Sequence, residues 1–185
     1  MVKSLSNSTN SITSNVFLRE ILYTLWGVFL LFLTSQITIP LEPVPITLQT
    51  YGVMLVALTF PRATAINSHI VYLVVGGMGV PVFAGFTGGL QKLVGPSGGY
   101  LFGFLAAVAV MGIIREHLKR ENFLHIALNC FIGTLIIFAF GIGWLATTMG
   151  IQKAIQFGFI PFIIPGIIKI ALLAVTLRYL KFGRV

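Results

Sequence analysis

The sequence predicts an all-α integral membrane protein, a bundle of six transmembrane helices with the N- and C-termini in the cytoplasm. Three observations predict it. Hydrophobic residues make up 57% of the 185-residue chain against 9% charged, which leaves too little polar surface to cover a water-exposed globule. Apolar runs recur from one end to the other, each near the roughly 20 residues a helix needs to cross the hydrocarbon core. The basic residues are divided very unevenly among the segments between those runs. With lipid as the solvent, every backbone polar group must find its partner inside the protein, and helices achieve this.

Residues 1–16 are rich in Ser, Asn and Thr, show no apolar periodicity and lack the continuous apolar stretch of a secretory signal, so a mobile cytoplasmic tail is expected there. Residues 17–185 then form one transmembrane domain. Spans are expected at 17–39, 47–60, 63–82, 99–115, 123–148 and 158–180, the second short and tilted or partly re-entrant. Turns between them are marked by Pro40, Pro43 and Pro45, by Phe60-Pro61-Arg62, by the glycine-rich stretch 85–99, by residues 115–122 and by residues 150–158. In the fourth span Gly99, Gly103 and Ala107 recur every four positions, a pattern that lets another helix approach closely.

Orientation follows from the charges. With both termini inside, the cytoplasmic segments hold Lys3, Arg19, Arg62, Arg115, Lys119, Arg120, Arg178, Lys181 and Arg184, and the outside loops hold Lys92 and Lys153. That placement explains the net charge of +8 without nucleic acid, which is not expected as a partner; membrane lipid is. The twelfth basic residue, Lys169, falls about eleven residues before the cytoplasmic cluster and so near mid-membrane, where an unpaired cation is costly. It reads either as a lysine bonded to a carbonyl at a helix break near Pro161 and Pro165 or, the better reading, as a cation facing a ligand.

The inventory for catalysis is poor. Glu20, Glu42, Glu116 and Glu121 are the acids, and none pairs with another inside the membrane. His69, His117 and His125 lack metal-ligand spacing, the single Cys130 sits in an apolar run, and no phosphate-binding or dinucleotide glycine pattern occurs. No catalytic residue, metal or cofactor is assigned. His69, with Asn67 and Ser68, reads as an interfacial polar residue rather than a proton relay.

Polar and glycine residues collect instead in the two outside loops. In the first, three prolines over Pro40–Pro45 give a stiff, extended cover that demands no backbone partners, and Gln49 offers donors and an acceptor to a buried ligand. The second, Val80 to Tyr100, has glycines that allow close backbone approach, Thr87 and Lys92 as polar groups, and Ser97 placed to cap a helix beginning near Gly98. Such a helix N-terminus favours an anion. Phe83, Phe86 and Tyr100 supply aromatic walls. The residues themselves lead to a small-molecule membrane receptor and no further.

The strings Pro43-Val44-Pro45-Ile46-Thr47-Leu48-Gln49-Thr50, Gly79-Val80-Pro81-Val82-Phe83-Ala84-Gly85 and Gly95-Pro96-Ser97-Gly98-Gly99-Tyr100-Leu101, with Gly103-Phe104, closely resemble the BioY family, the biotin-binding S component of energy-coupling factor (ECF) transporters. The resemblance implies a six-helix S component of a bacterial inner membrane whose outside loops close over biotin. It also implies partners: an ECF coupling transmembrane subunit and two ATPase subunits, so that this chain would not itself hydrolyse ATP. The substrate-binding residues expected on this basis are Gln49, Phe83, Thr87, Lys92, Ser97, Gly98, Tyr100 and Lys169. Lys92, Ser97, Tyr100 and Gln49 would hold one polar end of biotin, Lys169 would donate to the ureido carbonyl, and Phe83 would line the ring.

Two departures stand out. The family's sixth span carries Pro-Gly-Asp-x-x-Lys, whereas here it reads Pro165-Gly166-Ile167-Ile168-Lys169, with the lysine kept and Ile167 read in place of the acid. The first helix, over Leu22-Tyr23-Thr24-Leu25-Trp26-Gly27, lacks the small-x-x-x-small alanine pattern by which S components dock. A solitary biotin carrier working without an ATPase is therefore the nearest rival reading. A small intramembrane enzyme is the rival from a different class, and it lacks acids at membrane depth.

Overall fold

The computed structural model describes residues 2–117 and 123–180. Helix α1 (Val2–Gln36) leads through a short hairpin of β1 (Thr38–Ile39) and β2 (Ile46–Thr47) into α2 (Gln49–Thr59) and α3 (Arg62–Gly77). After a long loop and the short α4 (Leu90–Val94) come α5 (Gly98–His117) and α6 (Phe123–Met149). The chain ends in α7 (Ile151–Gly158), a single 3-10 turn (Ile160–Phe162) and α8 (Ile163–Leu180). Lys119, Arg120, Lys181 and Arg184 of the charge argument, and Glu121 among the acids, lie outside the described residues.

Local chemistry accounts for the breaks. Phe60 precedes Pro61 and is held extended at φ −97, ψ 156, which ends α2 at Thr59, two residues before the proline. Gly79 after α3 takes φ 103 and Gly150 after α6 takes φ 81, backbone conformations that an L side chain rarely adopts. The first helix starts earlier than expected. Nothing in residues 2–16 breaks a helix, since the run holds neither Pro nor Gly, and α1 continues through it, although its apolar part begins only at Val16.

Among the described residues four helical stretches are long and apolar enough to cross a membrane: Val16–Gln36, Gly98–His117, Phe123–Met149 and Ile151–Arg178. The second and third expected spans are shorter. At 1.5 Å per residue the 11 residues of α2 reach only about 16 Å and the 16 of α3 about 24 Å, against roughly 30 Å of hydrocarbon.

The bundle is built on a tight α5–α6 seam. Gly99 and Gly103 face α6: a Cβ on Gly99 would collide with Trp144 Cβ and Phe140 O, and one on Gly103 would lie 3.1 Å from Ile137 Cα, while Ala107, the third residue of the pattern, is fully buried. Reciprocally, Gly133 and Gly141 on α6 make room for Met111 and the Tyr100 ring. Helix α1 meets α3 through Gly27, which sits against Ser68, whose hydroxyl donates to Thr24 O (3.1 Å) and Thr64 O (2.8 Å). His69 is 2% exposed, with Nδ1 2.8 Å from Ala65 O, and so lies in the core rather than at an interface.

Buried residues form two clusters. One holds Leu31, Tyr72, Phe83, Tyr100, Phe104 and Phe162, beside the hairpin and long loop. The other holds Met54, Ala57, Ala65, Val108, Met111, Cys130 and Leu173, toward the opposite end. At that opposite end Arg62 pairs with Glu116 at 3.2 Å, and Arg115 Nη1 donates to Phe60 O at 2.9 Å. Among the described residues Arg19, Arg62, Arg115 and Arg178 thus fall away from the cavity end, where Lys92 and Lys153 lie.

Candidate functional site

A cavity of about 450 Å³ opens where the hairpin, the α3–α4 loop, α5 and α8 converge, within the size range of small-molecule sites. Seven of the eight expected site residues line it: Gln49, Phe83, Thr87, Lys92, Ser97, Tyr100 and Lys169. The eighth, Gly98, does not. A Cβ there would collide with Leu93 O, so its smallness serves the packing of α4 onto the start of α5.

The first wall is the six-residue loop 40–45, closed at its base by the antiparallel pairs Thr38↔Thr47 and Ile39↔Ile46. Pro40, Pro43 and Pro45 all face the cavity, and Val44 is turned into the core as an anchor. The loop also contributes Glu42, the one acid among the lining residues.

The second wall is fixed by a polar network that the sequence reading missed. Gln49 Nε2 donates to the Tyr72 hydroxyl at 2.8 Å, and Tyr72 donates in turn to Val82 O at 2.9 Å. Ser35 Oγ donates to the same carbonyl at 2.9 Å. Gln36 then grips the next residues from both sides: its Nε2 donates to Phe83 O at 3.2 Å and its Oε1 accepts from Phe86 N at 2.9 Å. Held there, the Phe83 ring meets Tyr72 edge-on at 5.4 Å and packs over Gly76. Phe83 and Thr87 close a small loop by paired backbone bonds of 2.8 and 3.2 Å, inside which Gly85 and Phe86 take φ 71 and φ 53. That turn throws Phe86 outward: it is 66% exposed and touches Phe32, so it is no cavity wall.

Tyr100 serves differently from its expected polar role. Its hydroxyl donates to Gly158 O at 2.8 Å, which ties α5 to α7 and leaves the ring as the feature offered to the cavity. That ring stacks on Phe162 (6.2 Å, 21°) and meets Phe138 edge-on (6.4 Å, 88°). Ser97 precedes α5, and its carbonyl accepts the first helical bonds from Tyr100 N and Leu101 N. Trp144 Nε1 donates to Gly95 O at 3.1 Å and fixes the approach to that helix. Lys92, on α4, is exposed at the rim.

Lys169 forms the floor. It is only 8% exposed, and its Nζ donates to Thr47 O on β2, so the carbonyl it uses belongs to the hairpin and not to the helix break at Pro161 and Pro165. Gln49 lies two residues along from that carbonyl, and its backbone N–H donates to Thr47 Oγ1 at 3.2 Å. The floor also corrects the reading of the sixth span. Ile167 is 63% exposed and does not line the cavity, whereas Gly166, three residues before Lys169 and on its helix face, does. Counted back from the lysine, the acid of the family pattern corresponds to Gly166.

Of the residues the sequence did not single out, Ser35, Gln36 and Tyr72 shared one available signal: polar groups at the ends or in the middle of apolar runs, where burial requires a partner. Among the described residues no group of three His, Cys, Asp or Glu is placed to hold a metal ion.

Comparison with known proteins bears on this site. The model of the BioY family matches residues 4–183. The probable biotin transporter BioY of Rickettsia prowazekii is 35% identical over 170 residues, which is 92% of this chain and 87% of that protein. The biotin transporter BioY of Thermotoga maritima is 41% identical over 164 residues, 85% of this chain and 96% of its own. Among solved structures, the S-component for biotin from an ECF-type ABC transporter superposes with a TM-score of 0.79 at 24% identity, covering 92% of this chain and 98% of that one, and so shares the fold.

Proposed function

The chain belongs to the BioY family, and on that premise we propose that it takes up biotin across a bacterial inner membrane as the high-affinity substrate-binding subunit of an ECF-type transporter. The observation that carries the reading is the set of charges and aromatics brought to one cavity: an exposed cation at Lys92, a buried cation at Lys169, and the rings of Phe83, Tyr100 and Phe162. Biotin has the matching layout of carboxylate, apolar chain and fused ring, and a ureido group with a strong acceptor. The carboxylate lies at the rim with Lys92 and Ser97, where water offsets an imperfect pairing. The ureido carbonyl accepts from Lys169, with Gln49 beside it.

In this reading six helices lie in the membrane, namely α1, α2, α3, α5, α6 and α8, with α2 and α3 as the short members under the hairpin. Both termini are cytoplasmic and the cavity opens outside, supported by the clustering of arginines at the far end. ATP hydrolysis, where uptake uses it, belongs to two ATPase subunits acting through a coupling subunit.

Equilibrium binding of biotin to the detergent-purified chain alone, with desthiobiotin and an unrelated vitamin as competitors, tests the reading. Nanomolar, biotin-selective binding is expected; no binding would sink it. One observation favours a second reading, a solitary carrier. Gly27, the small residue of the docking stretch of α1, is turned inward against Ser68, and Leu22, Tyr23, Leu25 and Trp26 face outward instead. Uptake into proteoliposomes with and without an ATPase module separates the two.

A further inference from the structure

Free biotin leaves the one acid on the cavity wall unused. Glu42 lines the cavity and is exposed to solvent, as Lys92 is, so both charges stand where the cavity meets water. The backbone of each is held in place. Glu42 belongs to the loop 40–45, which is pinned at its base by the pairs Thr38↔Thr47 and Ile39↔Ile46, stiffened by its three prolines and anchored by the buried Val44. Lys92 is carried by α4, whose Leu93 packs on Gly77. Among the described residues the two form no ion pair with each other, which leaves each charge open to a ligand. Lys92 attracts the carboxylate of free biotin, but Glu42 repels it, and in about 0.1 M salt such forces act over roughly 10 Å. A tail ending in both an ammonium and a carboxylate would satisfy the two together.

We propose that the site takes biotin joined through its carboxyl group to an amino acid, biotinyl-lysine, as well as free biotin, with Glu42 receiving the α-ammonium and Lys92 the α-carboxylate. The inference rests on the biotin reading. An amide between the biotin carboxyl and the lysine side-chain amine replaces the anionic end of the valeryl chain by a neutral link and moves the charges to the new end. The fused ring and ureido group are unchanged, so the contacts at Phe83 and Lys169 are kept. Proteolysis of a protein that bears biotin on a lysine is the class of reaction that supplies such a ligand. Glu42 is then a specificity-determining residue, favouring the zwitterionic tail over the anionic one.

The test is the dissociation constant of biotin, of biotinyl-lysine and of the uncharged primary amide of biotin for the full chain in detergent, as wild type and as Glu42→Gln, at low and high salt. Wild-type protein should bind biotinyl-lysine in competition with biotin. Glu42→Gln should tighten biotin several-fold, weaken biotinyl-lysine several-fold and leave the uncharged amide unmoved, and high salt should shrink both shifts. Biotinyl-lysine that fails to displace biotin from the wild type, or a Glu42→Gln variant that moves all three ligands alike or none of them, would overturn the proposal. Wild-type protein that binds no biotin would remove the functional reading beneath it, an outcome distinct from a wild type that binds biotin and rejects biotinyl-lysine.

Discussion

At the cavity end, helices are joined through loops whose backbone is gripped by side chains, as Gln36, Ser35 and Tyr72 grip Val82 and Phe83. At the opposite end they meet directly, through Met54, Ala57, Ala65, Val108, Met111 and Leu173, with Asn129 Nδ2 donating to Met111 O inside and the Arg62–Glu116 pair at the surface. The first end keeps a space open by hydrogen bonds. The second closes space by small residues and dispersion, the means available to helices that share an apolar solvent. Ligand affinity and folding stability therefore reside in different residues, and substitutions should separate them.

The largest effect is expected on the side of packing. Gly99→Leu drives a side chain into Trp144 and the Phe140 carbonyl, and because the obstacle is backbone the α5–α6 seam must open. Overpacking of this kind costs about 1–3 kcal/mol or more. A fall in melting temperature and folded yield, measured in detergent, checks it; an unchanged melt would mean that the seam does not hold the bundle together. Lys169→Ala is expected to do the reverse. Losing a buried partner of the ligand costs roughly 1–3 kcal/mol of binding, about tenfold to a hundredfold in affinity, while removal of a buried cation leaves melting unchanged or higher. Unaltered biotin affinity would refute the ureido assignment.

The same contrast governs what the sequence disclosed. The apolar runs, the small-residue stripe of α5 and the loop motifs are local patterns, so the helical fold was legible from them, and seven of the eight residues expected at the site line the cavity. What failed depended on direction or depth. Ile167 and Gly166 are neighbours, and only the register of α8 tells which faces inward. Phe86 reads like Phe83 until the left-handed turn at Gly85 and Phe86 sends it outward. Tyr100 reads as a polar contact until its hydroxyl is found on Gly158, 58 residues on. His69 sits among polar neighbours in the sequence, yet Ala65 O receives it within the core. Helix register, a local turn, the burial of one helix face and a partner distant in sequence decide these cases in turn, and no spacing rule contains them.

A smaller effect tests the gripping network. Gln36→Ala removes both the donor to Phe83 O and the acceptor for Phe86 N without touching the ligand's space. A net loss of about 1 kcal/mol per hydrogen bond is the usual scale, so affinity should fall by several-fold to tenfold. Hydrogen exchange should rise across residues 82–88 and nowhere in α5 or α6. Faster exchange throughout the bundle would show that the loop and the packed half are not separable after all.

The smallest effect belongs to Arg62 and Glu116. Their side chains are 43% and 49% exposed, and their 3.2 Å pairing lies at the end remote from the cavity. Exposed ion pairs contribute about 0–1 kcal/mol and less in salt, so Glu116→Gln should shift melting slightly at low ionic strength and not at all at high. Biotin affinity should stay at its wild-type value in both. Arg62 also has a packing task, since its stem fills the space over Gly112, where a Cβ would lie 2.8 Å from Arg62 Cγ. Arg62→Ala should accordingly destabilise more than Glu116→Gln, and the excess should survive high salt because it is dispersion and not charge. Equal, salt-sensitive losses in the two variants would mean that the pair, rather than the arginine stem, holds α3 against α5 at this end.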